Sequence, residues 1–293
     1  RPMEDYMVKA ITESKDIIAV ACVTTNLVND ARGRHGTYPT ATAALGRALT
    51  GAELMASLLD PDQRVALKFQ GDGPLKKILV EADGTGAARG YVGVPEVNLP
   101  PKNGKIDVSG ALGSHGYLTV SKDLRVKDVY TGVVRLHSGE IASDIAYYFS
   151  ESEQIPSAVG LGVFVERDGE VSAAGGFLVQ SLPPSDDERI DAIVSRIEHM
   201  DSVTAQLRDG RLPEDILELI LQDIPHYIIE NRQLAFRCSC SRERTEQAVI
   251  ALGAEEIRNI ISDRESVDIS CQFCGAVHTF SREELKRLIE EQH

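Results

Sequence analysis

The chain has 293 residues, 42% of them hydrophobic, and a formal net charge of −14. This length favours one large domain with smaller units, and the negative charge repels phosphate backbones and argues against a nucleic-acid partner. No apolar run reaches the roughly 18 residues that a membrane span needs, so no membrane association is expected. The N-terminal stretch carries charges where a signal peptide would be apolar, and we therefore expect a cytoplasmic protein.

Residues 1–182 predict an N-terminal α+β domain, because strand and helix patterns come in blocks rather than in strict alternation. The predicted strands are short β-branched or alternating runs at 5–12, 17–25, 64–70, 75–82, 88–94 and 117–121. Residues 39–60 predict a helix that packs closely on both sides, and residues 139–154 predict another. Residues 157–182 predict a hairpin with Asp168-Gly169 as its two-residue turn.

The dipeptide Pro183-Pro184 marks a break, after which no strand signal appears for about fifty residues. The first segment beyond it predicts a helix with one apolar face, formed by Ile190, Ile193, Val194, Ile197 and Met200. A second short acidic helix is predicted at 211–224. Short helices with a single apolar stripe are marginal alone and need a surface to lie against. We therefore predict that residues 183–231 form a docked, metastable helical linker.

Residues 232–293 predict a third, small domain. It begins with a helix from the N-cap Ser241 to Gly253. A strand–turn–strand pattern typical of a zinc knuckle follows, and a last helix has a capping box that joins Ser281 to Glu284. Few large apolar residues are available here, so an additional stabilising element is expected.

Four of the five cysteines of the chain form two tight pairs in this domain, Cys238 with Cys240 and Cys271 with Cys274. Side chains at i and i+2 of an extended segment point to the same side, and a C-x-x-C turn wraps around one metal. Four thiolates about 2.3 Å from one Zn²⁺ make a closed structural site without an open position for hydrolysis. We predict one Zn²⁺ on these four residues and interpret His278 as a strand residue beside the site.

The spacing alone favours a passive zinc clip. Each pair is also a candidate disulfide, and a disulfide cannot share its sulfurs with a metal. A domain this small gains much of its stability from its metal, so oxidation would unfold it and then release the linker helices. The flanking Arg237, Arg242 and Arg244 are expected to favour the oxidisable thiolate form.

The other motifs indicate no catalytic residue, and we expect a binding protein rather than an enzyme. Ser114 stands beside His115 without the surroundings of a nucleophile elbow. Cys22 lies in an apolar strand and is interpreted as a buried, inert thiol. The segment 29–40, "NDARGRHGTYPT", is rich in basic and polar residues. It could bind an anion, but we interpret it as a loop before a helix.

Distinctive stretches run over nearly the whole chain, and together they resemble one known family. They are "RHGTYPTATAALGRALT", "GDGPLKKILVEAD", "RGYVGVP", "GYLTVSKDL", "YTGVVRLHSGEIASDIAYYFSESEQIPSAVGLGV", "AAGGFLVQSLP" and the C-x-C…C-x-x-C pattern. The chain resembles the redox-regulated bacterial holdase chaperones, the 33 kDa heat-shock protein or chaperonin family.

This resemblance implies an inactive, reduced form with zinc on the four cysteines. It implies an active form, made by oxidation, with disulfides Cys238–Cys240 and Cys271–Cys274, no zinc and an unfolded linker. The active form would bind unfolding client proteins without ATP, and a homodimer is implied when the protein is oxidised. Cys22 has no role in the implied switch.

Two alternatives stay open. A zinc-ribbon module with purely structural zinc that contacts nucleic acid or ribosomes would need a basic face and salt-sensitive binding, and the net charge argues against it. An enzyme in the N-terminal domain would need a pocket with convergent polar groups and strongly perturbed pKa values.

Overall fold

In the computed structural model, which describes residues 4–184 and 186–290, the predicted mixed α+β class is confirmed. The chain divides into two units, residues 1–237 and 238–293. Within the described ranges, no helix is long and apolar enough to cross a membrane.

The first unit contains two sheets. Its strands are β1 (Tyr6–Thr12), β2 (Ile17–Val23), β3 (Arg64–Gly71), β4 (Lys77–Asp83), β5 (Ala87–Val92), β6 (Gly116–Asp123), β7 (Tyr130–Arg135), β8 (Ser157–Val165), β9 (Val171–Ser181), β10 (His226–Gln233) and β11 (Ala235–Phe236). Sheet 1 has the order β10-β1-β2-β9-β8, and sheet 2 has the order β11-β5-β4-β3-β6-β7. All neighbours are antiparallel except the short pair β11 and β5. The six strands predicted at the sequence level correspond to β1 through β6.

The helices of the first unit are α1 (Thr25–His35), α2 (Pro39–Ala56), α3 (Val108–Leu112), α4 (Ala142–Tyr148), α5 (Asp187–His199), α6 (Val203–Arg208) and α7 (Pro213–Ile220). A π-helical turn, Phe149–Glu153, continues α4, so the helix predicted over 139–154 is confirmed. Helix α2 is buried on nearly every side and contacts strands of both sheets. A helix that is apolar all round needs such a position, and its predicted close packing is confirmed.

The hairpin of β8 and β9 is confirmed, but its turn is longer than predicted. The amide of Glu166 donates to the carbonyl of Glu170, and the amide of Gly169 donates to the carbonyl of Glu166. Three residues therefore form the loop, and Gly169 takes the left-handed conformation, with φ of 88°, that such a loop requires.

Helices α5, α6 and α7 lie on the face of sheet 1 opposite α2. Ile193, Leu207 and Ile216 belong to one buried cluster with Ala19 and Phe177 of the sheet. The predicted one-sided helices of segment 183–231 are thus found on an apolar surface. The first unit includes both residues 1–182 and the segment 183–231. That this segment acts as a separate linker therefore stays a prediction.

The predicted absence of strands for about fifty residues after Pro184 is wrong at its end. Strand β10 (His226–Gln233) pairs with β1 along its whole length, with a bulge opposite Lys9 and Ala10. This strand crosses the predicted boundary between residues 231 and 232. Pairing with a distant strand, rather than a local pattern, fixes its conformation.

The interpretation of segment 29–40 as a loop is wrong for its first part, because α1 extends to His35. Gly36, at φ of 60°, then caps the helix. The side chain of Asn29, the first residue of this segment, has a structural role. Its Nδ2 donates to the carbonyl of Val171 at 2.8 Å, and its Oδ1 accepts from the amide of Val171 at 3.0 Å. Asn29 therefore satisfies both backbone groups where β9 begins.

The second unit is built from α8 (Arg242–Ile250), α9 (Ala254–Ile261), β12 (Ser266–Ser270), β13 (Val277–Ser281) and α10 (Arg282–Glu290). The N-cap at Ser241 is confirmed, since its side chain accepts from the amide of Arg244. The capping box is also confirmed: the amide of Ser281 donates to Glu284 at 2.8 Å, and the amide of Glu284 donates to Ser281 Oγ at 3.2 Å. Among the described residues of this unit, one core cluster is formed by six buried apolar residues: Val249, Ile257, Ile261, Phe280, Leu285 and Ile289.

Candidate metal centre

Two local structures hold the cysteine pairs of the second unit. Cys271 and Cys274 lie in the turn between β12 and β13, where the amide of Gly275 donates to the carbonyl of Cys271 at 2.8 Å. Gly275 has φ of 73°, a conformation that glycine adopts without strain. Cys238 and Cys240 precede the N-cap of α8.

The loop that carries the first pair is fixed by an arginine. Arg244 Nη1 donates to the carbonyl of Ser239 at 2.8 Å and to its Oγ at 2.7 Å. Neither Ser239 nor Gly275 was among the predicted site residues. The glycine that directly follows C-x-x-C was a visible signal for a tight turn, whereas the arginine contact depends on the fold of α8.

The structure brings all four predicted cysteines together. Their sulfurs lie within 4.8 Å of one another. The Sγ atoms of Cys238 and Cys271 are 3.8 Å apart, and those of Cys240 and Cys274 are 3.3 Å apart. All four are free thiols. The contacts thus connect the two pairs to each other.

These distances fit a tetrahedral metal site. A regular tetrahedron with Zn–S bonds of about 2.3 Å has its sulfurs about 3.8 Å apart. His278 is not part of this group in the described chain, which agrees with its interpretation as a strand residue. Its Nε2 is buried without a hydrogen-bond partner among the described residues.

The raised pKa values of the buried thiols also indicate that a bound cation would stabilise this site. Burial, with further contributions from the neighbouring sulfurs, raises the pKa of Cys240 well above its usual range. Burial likewise raises the pKa of Cys274, although a hydrogen bond from the amide of Ala276 opposes the rise. Four thiolates at these distances repel one another, and a bound cation is the group that would stabilise them.

The expectation that flanking arginines favour the thiolates stays a prediction, because the main causes of the raised pKa of Cys240 are burial and the neighbouring sulfurs. The two arginines within this unit have other partners. Arg242 donates to Glu284 at 2.8 Å and lies over the ring of Phe280, while Arg244 binds Ser239. Both arginines therefore stabilise the local structure around the cysteines through these contacts.

Two other predicted groups lie in the first unit. Cys22 is fully buried in β2, and burial raises the pKa of its thiol strongly, as expected for an inert cysteine.

Ser114 Oγ and Asp72 Oδ2 both approach Nδ1 of His115, at 3.4 and 3.2 Å. A catalytic relay needs the two partners on opposite nitrogens, so this exposed group lacks that geometry.

The comparison with protein families matches this chain to one of them. The family model described as Hsp33 protein matches residues 5–281, a range that includes both sheets and all four clustered cysteines.

Relatives and a solved structure agree with that match over the whole chain. The 33 kDa chaperonin of Geobacter sulfurreducens is 57% identical over 284 residues, covering 97% of this chain and 94% of the relative. The 33 kDa chaperonin of Desulfotalea psychrophila is 43% identical, with 98% of each chain covered. The crystal structure of the 33 kDa chaperonin (heat shock protein 33 homolog) from Thermotoga maritima superposes with a TM-score of 0.92 at 34% identity, covering 99% of both chains.

Proposed function

This chain belongs to the Hsp33 family of chaperones, and from that premise we propose that it is a redox-regulated, ATP-independent holdase of the cytoplasm. It would bind unfolding and oxidatively damaged proteins and prevent their aggregation. The observation that supports this proposal most directly is the cluster of four free thiols, whose sulfurs lie within 4.8 Å of one another.

In the reduced state, Cys238, Cys240, Cys271 and Cys274 would hold one Zn²⁺. The metal would supply charge neutralisation and a covalent-like crosslink between the segment before α8 and the β12–β13 turn. Structural zinc contributes roughly 10–16 kcal/mol of apparent binding free energy in small zinc peptides. A core of six buried apolar residues offers far less, so the order of residues 238–290 would depend on the closed site.

Oxidation would convert the same sulfurs into disulfides, and we propose the pairs Cys238–Cys240 and Cys271–Cys274. A peroxide oxidises one thiol to a sulfenic acid and leaves as water. The second thiol of the pair then displaces a second water as the S–S bond forms. Each disulfide thus consumes one peroxide, and its sulfurs, at about 2.05 Å, no longer satisfy a tetrahedral site.

The linker segment, residues 183–231, is the proposed means of activation. Its helices α5, α6 and α7 have 13, 6 and 8 residues, which is too short for stability without a surface. The chain runs from this segment through β10 and β11 directly into Cys238. Loss of order beyond Cys238 would therefore remove a restraint on the linker, which would expose apolar surface for clients. We further propose that the oxidised form is a homodimer.

One titration tests this function. Peroxide is added to the reduced, zinc-loaded chain while zinc release, free thiols and light scattering by an aggregating client are followed together. Zinc release and thiol loss should precede suppression of scattering. Cys238→Ser should abolish activation, whereas Cys22→Ala, which removes the buried thiol outside the cluster, should preserve it. Full peroxide activation of Cys238→Ser would refute the proposal.

The alternative of a zinc-ribbon module for nucleic acid is addressed by a separate measurement. Binding to a short RNA duplex at 50 and 200 mM salt should be absent at both, because the net charge of −14 opposes it. Tight binding that weakens steeply with salt would favour that alternative.

A further inference from the structure

A gap of about 140 Å³ separates the linker helix α5 from sheet 1. Ile17, Ala158 and Val179 form its floor, from β2, β8 and β9. The roof is formed by Ile190, Ile193 and Val194 of α5. The gap thus lies between two elements that are otherwise joined by apolar contact.

The packing around the gap explains why it is open. Ile193 is buried, but Val194, on the face predicted to be apolar, is 42% exposed. Opposite the helix, β8 presents the small side chain of Ala158. At the start of α5, Arg189 donates to Ser14 Oγ at 2.8 Å and lies 3.6 Å from Asp16. This polar contact fixes the helix beside the sheet without filling the space beneath it.

The residues that line the gap are mostly apolar, and this determines which kind of ligand it can bind. Within the described parts of the chain, no charged residue lines the gap. Of the two serines at its border, Ser157 has its hydroxyl engaged, donating to the carbonyl of Ile155 and accepting from Gln180, each at 3.0 Å. A polar or charged ligand would lose its hydration without compensation. An enclosed apolar cavity of roughly 150 Å³ is known to bind benzene or xenon, and this gap, although partly open to solvent, has a similar volume and an apolar lining.

We propose that this gap is a binding site for a compact, neutral, apolar molecule of about the size of a single aromatic ring, and that the bound molecule fastens α5 to sheet 1. Such a ligand contacts helix and sheet at the same time, so it binds only while α5 is docked. Binding to one state stabilises that state by mass action. In combination with the proposed function, on which this last consequence rests, an occupied gap would raise the peroxide dose that releases the linker.

Toluene is a suitable probe, and the reduced full-length chain is the sample. Methyl resonances of Ile17, Ala158 and Ile193 should shift saturably with toluene and show nuclear Overhauser effects to its ring protons. Ala158→Ile adds three carbons within the gap and should weaken toluene binding at least tenfold. Ala66→Ile is the matched control, because the same substitution lies in β3 of sheet 2, away from the gap, and should leave binding unchanged.

Hydrogen exchange provides the second measurement. Saturating toluene should slow exchange of the amides of α5 several-fold in the wild type and in Ala66→Ile, and should have no such effect in Ala158→Ile. The proposal is overturned if the wild-type chain shows no saturable binding up to the solubility of toluene, or if the Overhauser effects arise elsewhere. It is also overturned if folded Ala158→Ile binds as the wild type does. Neither measurement uses oxidant or client, so failure of the holdase function would leave their outcome unchanged.

Discussion

The sulfurs of Cys240 and Cys274 lie 3.3 Å apart, although 34 positions separate the two residues in the chain. This distance is too long for a disulfide, which needs about 2.05 Å, and it suits two ligands of one metal. A metal site across the pairs and a disulfide within a pair therefore require different arrangements of the same four sulfurs. The switch proposed for this protein depends on that incompatibility.

The first prediction concerns the loss of one sulfur. Cys274→Ser should lower zinc affinity by more than about tenfold, because even changes outside the ligand set cost 10–100-fold. Hydrogen exchange across residues 238–290 should accelerate, while strands β1 to β9 of the first unit keep their protection. Zinc retained after gel filtration, measured with a colorimetric chelator, tests the affinity. The control is Cys22→Ala, and equal zinc content in both variants would contradict the prediction.

The cysteine cluster could be predicted from the sequence because the constraint is local. A C-x-C and a C-x-x-C each place two sulfurs on one side of a short segment, so only the meeting of the two segments depends on the fold. The contacts that fix Ser239 were not predictable in this way, since Arg244 reaches that residue only after α8 has formed.

Strand β10 and helix α1 show where local patterns fail. Tyr227, Ile228 and Ile229 are consecutive and all exposed, so the alternation that marks a half-buried strand is absent. Pairing with β1, from the opposite end of the unit, imposes the strand. Helix α1 buries only Leu27, Val28 and Ala31, and its part from Asn29 onward was interpreted as a loop.

The second prediction concerns the contact between α1 and β9. Asn29→Ala should lower the free energy of unfolding by about 1–3 kcal/mol, because the amide and carbonyl of Val171 lose their partner. Val171 is 4% exposed, so water does not readily replace the side chain. Urea unfolding followed by tyrosine fluorescence measures the change, since the chain has no tryptophan. Asn231→Ala, at an exposed position of β10, is the control and should have little effect.

The third prediction is a pH dependence that arises from Asp5. Burial raises the pKa of this carboxyl to about 6, although the amides of Leu27 and Asn26 donate to it at 2.6 and 3.1 Å. The folded state therefore favours the protonated form, and this contribution to stability is lost as pH rises from about 4 to about 6. The difference between the ordinary pKa of 3.8 and about 6 corresponds to about 3 kcal/mol over the whole titration.

Asp5→Asn isolates this contribution. The stability of the variant relative to the wild type should increase by about 2 kcal/mol between pH 4 and pH 6.5 and change little at higher pH. Urea unfolding at several pH values gives this difference directly, and groups that titrate in both proteins largely cancel. A difference that does not change with pH would show that Asp5 titrates normally in the folded chain.

The last prediction concerns Glu230 of β10, whose ion pairs attach this strand to the rest of the first unit. Its contribution to stability should depend on pH in the opposite direction from that of Asp5. Its carboxylate lies 2.6 Å from Lys9 Nζ and also pairs with Arg232. Both cations reach the end of α2, where Lys9 donates to the carbonyl of Ser57 and Arg232 to that of Ala56. Burial alone would raise the pKa of Glu230, but the hydrogen bonds from Lys9 and Arg232 outweigh it and hold the pKa below its usual value.

A carboxyl with a lowered pKa contributes stability above its unfolded pKa, and this contribution is lost as pH falls through the folded value. Glu230→Gln should therefore cost about 1–3 kcal/mol at pH 7, and the cost should shrink toward zero below pH 4. Exchange of the β10 amides should accelerate at neutral pH in this variant but not in Glu198→Gln, whose side chain is exposed on α5. If Glu230→Gln were equally costly at acidic and neutral pH, the ion pairs would not be the interaction that attaches β10, and its ladder with β1 alone would hold the strand in place.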